Sequence, residues 1–246
     1  MKGREGMVSL QGLQKLTLLD YPGKVACTVF TGGCNFRCPF CQNRDLLPCG
    51  QPSQYSEAEL LGFLQKRRGL LDGVCISGGE PLLQEELPQL LEKIKAMGYC
   101  VKLDTNGSFP EQLQQLVAEN LVDYVAMDIK SSPSQYGAAS GVGRLYLSKV
   151  QQSVQFLLRG TVPYEFRTTV VRELHGAEEL QAIGQWLQGA QRYFLQGFED
   201  SERVLKPGLH SYSAAEMERL RQLVLPWVPQ TALRGITADR ISMEKM

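Results

Sequence analysis

Three cysteines within eight residues are the strongest chemical signal in the sequence. Cys34, Cys38 and Cys41 are spaced C-x3-C-x2-C and directly follow a predicted buried strand. In this spacing each thiolate can bind one iron of a 4Fe-4S cubane, so the protein would hold three of the four irons. The fourth iron would stay open to the amino and carboxylate groups of a small molecule. Pro39 rules out a regular helix through the centre of the loop.

Three other uses of these cysteines stay open. A structural zinc site needs four protein ligands. Cys27 or Cys49 would have to supply the fourth, because His175 and His210 are remote in the sequence. A disulfide with one spare thiol would suit an oxidising compartment. Burial as small core residues is opposed by the polar residues that stand between the cysteines.

Glycines and a carboxylate end the next predicted strand. Gly78 and Gly79 would let a ligand approach the backbone closely, and Glu80 could face an ammonium group. The alternative is a simple tight turn with no ligand.

Charged residues also end the third and fourth predicted strands. Asp104 could accept hydrogen bonds from a ribose or an ammonium group, or it could form an N-cap or Asx-turn before the next helix. Alternation along the strand places Asp128 and Lys130 on one face. They offer an acceptor for ribose hydroxyls and a cation for a carboxylate, or else a local ion pair. Arg167, on the fifth strand, either points toward the ligand or pairs with a carboxylate.

Short apolar runs alternate with helical patterns, which predicts parallel strands with helices outside them. Six such units are fewer than the eight of a full barrel. We therefore expect an α/β fold, an incomplete (β/α)6 TIM-like barrel of parallel strands with outer helices. The predicted strands cover residues 25–30, 73–77, 100–104, 123–130, 164–171 and 192–196. The predicted helices cover residues 56–68, 84–97, 110–119, 145–158, 177–188 and 214–224, with loops over 131–143 and 199–210.

Composition narrows the class of protein. The chain has 246 residues, with 26 Lys plus Arg and 26 Asp plus Glu, and this balance argues against a nucleic-acid partner held through its phosphates. No apolar run reaches the ~18 residues of a membrane helix, and residues 1–10 lack the apolar centre of a signal peptide. Seven cysteines without a signal argue against a disulfide framework. We expect one cytoplasmic domain over residues 1–246, with its core at about 12–235 and no membrane partner.

The cysteine motif, with Phe40 just before its last cysteine, resembles that of the radical S-adenosylmethionine superfamily. The resemblance implies a 4Fe-4S cluster on the three cysteines and S-adenosylmethionine as second cofactor. It implies that Phe40 lies next to the adenine, although a core role for this ring is also open. It implies that the segment Gly78–Glu80 binds the methionine amino group. No catalytic side chain beyond the cluster ligands is expected.

Further segments resemble the glycyl-radical-enzyme activating family, and most closely the anaerobic ribonucleoside-triphosphate reductase activating protein. They are L-T-L-L-D-Y-P-G-K at 16–24, Q-N at 42–43, D-T-N-G at 104–107, A-M-D-I-K at 126–130 and L-R-G at 233–235. The resemblance implies reductive cleavage of S-adenosylmethionine to a 5′-deoxyadenosyl radical, which takes a hydrogen from a glycine of a partner glycyl radical enzyme. It also implies flavodoxin or ferredoxin as electron donor.

The sequence departs from this family at several positions, and these departures leave other functions open. The pyruvate formate-lyase activating branch has a histidine after the sixth strand, where this chain has Gln196 and Phe198. The eight additional cysteines of some relatives are also missing. One alternative is a radical enzyme acting on a small molecule, such as a 7-carboxy-7-deazaguanine synthase, although that family places Asp-Thr where Gln42 and Asn43 stand. Another is a non-catalytic iron-sulfur electron carrier.

Overall fold

The computed structural model describes residues 7–236. Residues 1–6, part of the stretch used to argue against a signal peptide, and residues 237–246, at the end of the predicted domain, lie outside the described residues. The strands in the described part are β1 (Leu10–Thr17), β2 (Ala26–Thr31), β3 (Gly73–Gly78), β4 (Cys100–Thr105), β5 (Tyr124–Asp128), β6 (Tyr164–Val170), β7 (Tyr193–Gly197) and β8 (Thr231–Arg234). The α-helices there are α1 (Glu57–Lys66), α2 (Leu87–Ala96), α3 (Pro110–Ala118), α4 (Tyr136–Ser140), α5 (Leu147–Leu158), α6 (Ala177–Trp186) and α7 (Ala214–Val224).

The predicted α/β fold of parallel strands is confirmed, with two more strands than expected. The strands follow one another across the sheet in chain order, and β1 and β8 are its edges. Strands β2 to β5 pair in parallel, as do β6 to β8. Between β5 and β6, the Val125 amide donates to the Pro163 carbonyl at 3.0 Å, and the Ile129 amide donates to the Arg167 carbonyl at 2.7 Å. The added strands are β1, which is antiparallel to β2, and the short β8.

The chain divides into two compact units. Among the described residues, the first comprises 7–36, Asn43–Met127 and Lys149–Tyr164. The second comprises Arg37–Gln42, Asp128–Ser148 and 165–236. Because each unit is assembled from separate stretches of the chain, no single cut separates them, and the expectation of one domain stays a prediction. Within residues 7–236, every helix is too short or too polar to cross a bilayer.

Helices α1 and α3 of the first unit begin where the sequence predicts, whereas α2 begins three residues later than predicted, since the separate 3-10 helix Pro81–Leu83 precedes it. Ser56 caps α1 by accepting the Glu59 amide, and the Glu59 carboxylate accepts the Ser56 amide in return, which together form a capping box. Helix α2 buries one stripe of side chains spaced at helical intervals against the sheet. That stripe consists of Leu87, Leu90, Leu91 and Ile94.

The second unit corrects one loop prediction. Residues 131–143, expected to be a loop, contain the short helix α4, which ends at Gly141 in a left-handed conformation with φ of 71°. A five-residue helix is too short to show a periodic apolar pattern. Residues 199–210 contain no helix or strand, as expected.

A charged cluster lies inside the first unit. Lys102 is only 1% exposed, and its ammonium group pairs with Asp104 on the same strand. The Ser77 hydroxyl donates to Asp104 at 3.0 Å, and the Lys102 ammonium lies 3.7 Å from the Cys75 sulfur. These side chains share one face, because Cys75 is in register with Lys102 across β3 and β4. A buried charge of this kind is tolerated only with a compensating partner.

Replacing Lys102 by Met removes the cation that compensates Asp104. We expect the free energy of unfolding, measured by urea titration of the cluster-free chain at neutral pH, to fall by about 3 to 5 kcal/mol. Lys93→Met is the matched control, because the Lys93 ammonium pairs with Glu57 at the exposed surface. It should cost less than about 1 kcal/mol. Equal losses in the two variants would contradict a structural role for the buried pair.

Candidate functional site

The first part of the cysteine loop is anchored by backbone hydrogen bonds within the first unit. The Gly33 amide donates to the Leu46 carbonyl at 2.7 Å, and the Cys34 amide donates to the Leu47 carbonyl at 3.2 Å. The Phe36 amide donates to the Cys34 sulfur at 3.4 Å. Three amide hydrogen bonds therefore hold this first stretch of the loop.

Asn35 connects the same loop to the D-T-N-G turn that follows β4. Its side-chain amide donates to the Ser108 hydroxyl at 2.8 Å, and the Asn106 side chain donates to its oxygen at 2.9 Å. The Ser108 amide in turn donates to the Asn106 side-chain oxygen at 2.9 Å, which makes an Asx-turn. The alternative that Asp104 forms this turn is therefore wrong. Its contact with a ligand stays a prediction.

Glu80 joins the ends of β3 and β4. The side chain is 0% exposed, and its carboxylate accepts the Asn106 amide at 2.6 Å, the Thr105 hydroxyl at 2.8 Å and the Leu82 amide at 3.1 Å. The Glu80 carboxylate, which the sequence predicts to face the ammonium group of a ligand, thus already accepts three hydrogen bonds from the protein. That assignment stays a prediction, and the structure adds a structural role for Glu80.

Gly78 and Gly79 are required by contacts within the protein. A Cβ on Gly79 would lie 2.0 Å from the Gly33 carbonyl oxygen. A Cβ on Gly78, whose φ is 122°, would lie 2.3 Å from backbone atoms of Thr31. The amides of Gly79 and Glu80 donate to the carbonyls of Thr31 and Gly33 at 3.0 and 2.8 Å. The end of β3 therefore packs directly on the backbone that leads into the cysteine loop.

The second part of the loop is held by the segment 199–210 within the second unit. Cys38 is buried and Cys41 is half-buried. The Lys206 amide donates to the Pro39 carbonyl at 2.9 Å, and the Leu205 amide donates to the Cys41 carbonyl at 3.0 Å. A segment that the sequence shows only as a loop thus supplies the partners that the buried cysteine backbone needs.

Helix α4 holds the start of this second part. The Arg37 amide donates to the Ser140 carbonyl at 2.9 Å. A Cβ on Gly141 would lie 2.0 Å from the Arg37 carbonyl oxygen, so the helix must end in glycine for the loop to approach. The D-T-N-G turn in the first unit and α4 in the second each fix one stretch of the cysteine loop.

Asp128 lies between two cations in the second unit. Its carboxylate is 2.8 Å from the Arg167 guanidinium and 3.1 Å from the Lys130 ammonium. Burial alone would raise the pKa of Asp128, but the two cations outweigh it and lower this pKa to about 2. Burial would lower the pKa of Lys130, yet the Asp128 carboxylate holds it above its usual value. The local ion pair offered as an alternative is present, and the triad's net positive charge suits an anionic group of a ligand.

Phe40 is buried against His175. The ring centroids are 6.0 Å apart and the ring planes meet at 73°. His175 is remote from the cysteines in the sequence, yet in the fold its ring contacts Phe40 of the cysteine loop. The burial of Phe40 fits the core role, and its place beside an adenine stays a prediction.

Gln196 offers an acceptor without a partner. Its side-chain oxygen is buried and has no hydrogen-bond partner among the described residues. Because Thr169 pairs in register with Gln196 and Arg167 with Phe194, Gln196 shares the sheet face of Arg167. A buried acceptor calls for a donor, and S-adenosylmethionine carries N–H and O–H donors. This part of the second unit therefore fits such a ligand.

The cysteines fit an iron-sulfur cluster better than the alternatives. All seven lie in the described residues, and none forms a disulfide. Burial raises the pKa of Cys27 to about 12. Within residues 7–236, no three His, Cys, Asp or Glu side chains are grouped so as to hold one metal ion. In a cubane each thiolate has its own iron.

Comparisons with known proteins agree with this chemistry. A protein of Methanocaldococcus jannaschii named a glycyl-radical enzyme activating enzyme is 29% identical over 210 residues, covering 78% of this chain and 81% of that protein. The 7-carboxy-7-deazaguanine synthase of Koribacter versatilis is 32% identical over 162 residues, covering 65% of this chain and 67% of that protein.

A solved structure shows the same fold. The crystal structure of Streptococcus suis SuiB bound to S-adenosylmethionine has a TM-score of 0.66 and 14% identity, covering 82% of this chain and 48% of that one. At this identity the likeness concerns the fold alone. Residues 28–178, more than half of the chain, match the family described as the Radical SAM superfamily. The chain therefore belongs to the radical S-adenosylmethionine superfamily, whose members bind a 4Fe-4S cluster and S-adenosylmethionine.

Proposed function

We propose that this chain is an activating enzyme that installs a glycyl radical on a partner enzyme. The likeness to the Methanocaldococcus jannaschii protein, which spans most of both chains, carries this proposal. The partner we propose is an anaerobic ribonucleoside-triphosphate reductase, on the segments that resemble its activating protein. Flavodoxin or ferredoxin as electron donor and a cytoplasmic location stay predictions.

The cofactors supply the hard chemistry, and the chain supplies positions for them. When bound, the reduced cluster and S-adenosylmethionine yield the 5′-deoxyadenosyl radical that takes a hydrogen from a glycine of the partner. We assign Cys34, Cys38 and Cys41 as the cluster ligands. The backbone of the cysteine loop is anchored by hydrogen bonds within each unit.

Residues of the second unit are proposed to hold the anionic and aromatic parts of S-adenosylmethionine. Lys130 would bind the methionine carboxylate, and the Asp128 carboxylate, itself paired with Arg167, keeps that ammonium charged and oriented. Asp128 would also accept a ribose hydroxyl, and Phe40 would contact the adenine. In the first unit, Gly78, Gly79, Glu80 and Asp104 are proposed as contacts to the methionine amino group and the ribose.

A second candidate is synthesis of a small molecule. The likeness to the Koribacter versatilis 7-carboxy-7-deazaguanine synthase covers about two thirds of this chain. Gln42 and Asn43, which stand where that family is expected to carry Asp-Thr, argue against this activity. The two candidates share cluster and S-adenosylmethionine, so only the substrate distinguishes them.

Gly79→Ala tests whether the end of β3 shapes the cysteine loop. The added Cβ would lie 2.0 Å from the Gly33 carbonyl oxygen, so the backbone before Cys34 must shift. We expect the free energy of unfolding of the cluster-free chain to fall by about 1 to 3 kcal/mol, the usual cost of overpacking. After anaerobic reconstitution, the variant should hold less iron per chain than the wild type.

Gly62→Ala is the matched control, because nothing lies within 4 Å of a Cβ at that position of α1. It should bind as much iron as the wild type. Full iron content in Gly79→Ala would show that this contact does not shape the cluster loop.

Electron paramagnetic resonance tests the proposed substrate. The reconstituted and reduced chain, mixed with S-adenosylmethionine and anaerobic ribonucleoside-triphosphate reductase, should produce a stable glycyl radical signal. The signal should vanish when the radical glycine of the partner is replaced by Ala. No signal, together with turnover of a pterin to 7-carboxy-7-deazaguanine, would replace the proposed function by the second candidate.

A further inference from the structure

His175 is fully buried in the second unit, and both of its ring nitrogens have partners. The Val171 amide donates to Nδ1 at 2.9 Å. Nε2 lies 2.8 Å from the Lys130 carbonyl oxygen, which can only accept. These partners require a neutral ring with its proton on Nε2. Burial lowers the pKa of His175 below its usual value of 6.5, so the ring stays neutral at neutral pH.

Two hydrogen bonds to consecutive carbonyl groups fix the main chain just after the end of β5. The Thr168 hydroxyl donates to the Ile129 carbonyl at 2.8 Å, and His175 donates to the next carbonyl, that of Lys130. With both carbonyls bound, the peptide that carries the Lys130 side chain has one orientation. The direction in which the Lys130 ammonium points therefore depends on His175.

The same imidazole ring also contacts the cysteine loop. Phe40 packs against it with ring centroids 6.0 Å apart in a T-shaped arrangement. Such aromatic contacts favour a defined ring orientation. His175 thus contacts three separate stretches of the chain, at Phe40, Lys130 and Val171.

We propose that His175 is a positioning residue for S-adenosylmethionine. It holds the main chain of Lys130, so that the ammonium meets the methionine carboxylate, and it supports Phe40 beside the adenine. It touches neither the cofactor nor the reacting atoms. This inference rests on the proposed roles of Lys130 and Phe40.

Two substitutions separate the two hydrogen bonds of His175. The amide of Gln reaches the place of Nε2, so His175→Gln keeps a donor for the Lys130 carbonyl. The amide of Asn reaches only the place of Nδ1, so His175→Asn keeps a partner for the Val171 amide and releases Lys130. Tyr212→Phe is the structural control, because its hydroxyl donates only to the His175 main-chain carbonyl, at 3.2 Å.

Calorimetric titration of the anaerobically reconstituted variants with S-adenosylmethionine is the test. We expect His175→Asn to raise the dissociation constant for S-adenosylmethionine on the order of tenfold, as when a hydrogen bond to a charged ligand is misaligned. Tyr212→Phe should bind like the wild type, and His175→Gln, which keeps the donor for Lys130 but lacks the ring beside Phe40, should lose less affinity than His175→Asn. Equal affinities in all variants, or equal losses in Asn and Gln that follow their melting temperatures, would overturn the inference. A wild-type chain that binds no S-adenosylmethionine would instead refute the proposed function.

Nuclear magnetic resonance of the imidazole nitrogens provides a test that needs no cluster and no variant. The chain has two histidines, so the signals of His175 and the exposed His210 can be separated. We expect His175 to carry its proton on Nε2 at neutral pH. A proton on Nδ1 would overturn the inference, because the Lys130 carbonyl would then have no donor on this ring.

Discussion

An irregular loop that carries three thiols must have its backbone satisfied by the rest of the chain. Pro39 has no amide hydrogen and prevents a regular helix, so the buried amides and carbonyls around it need distant partners. In the first unit, the carbonyls of Leu46 and Leu47 provide them. In the second, the end of α4 and the amides of Leu205 and Lys206 do so. The backbone that carries the cysteines is therefore held by hydrogen bonds to distant parts of the chain.

Charge pairing is the second constraint on the structure. Lys102 is buried and compensated by Asp104, so this carboxylate, expected to meet a ligand, already serves the interior of the first unit. In the second unit, Asp128 is shared by Lys130 and Arg167, which leaves a net positive charge. The same residue types thus stabilise the fold in one place and suit an anionic ligand in the other. The role of each carboxylate is therefore decided by the cations paired with it and not by its position on a strand.

The sequence predicts the six strand–helix units because apolar runs and caps are local signals. It misses β1 and β8, since an edge strand with polar residues and a four-residue strand lack a clear pattern. It also misses the buried Lys102, because a lysine in a strand resembles an exposed position. The role of His175 depends on contacts with Phe40, Lys130 and Val171, and no local pattern in the sequence reports such contacts.

The most direct test of the account is the amount of 5′-deoxyadenosine formed by the reconstituted, reduced chain with S-adenosylmethionine, compared with Cys38→Ala. The account predicts that the wild type forms it and that the variant, which lacks one cluster ligand, does not. A wild-type chain that holds its cluster and binds S-adenosylmethionine but forms no 5′-deoxyadenosine, even with the partner enzyme present, would contradict the account and favour a non-catalytic iron-sulfur protein.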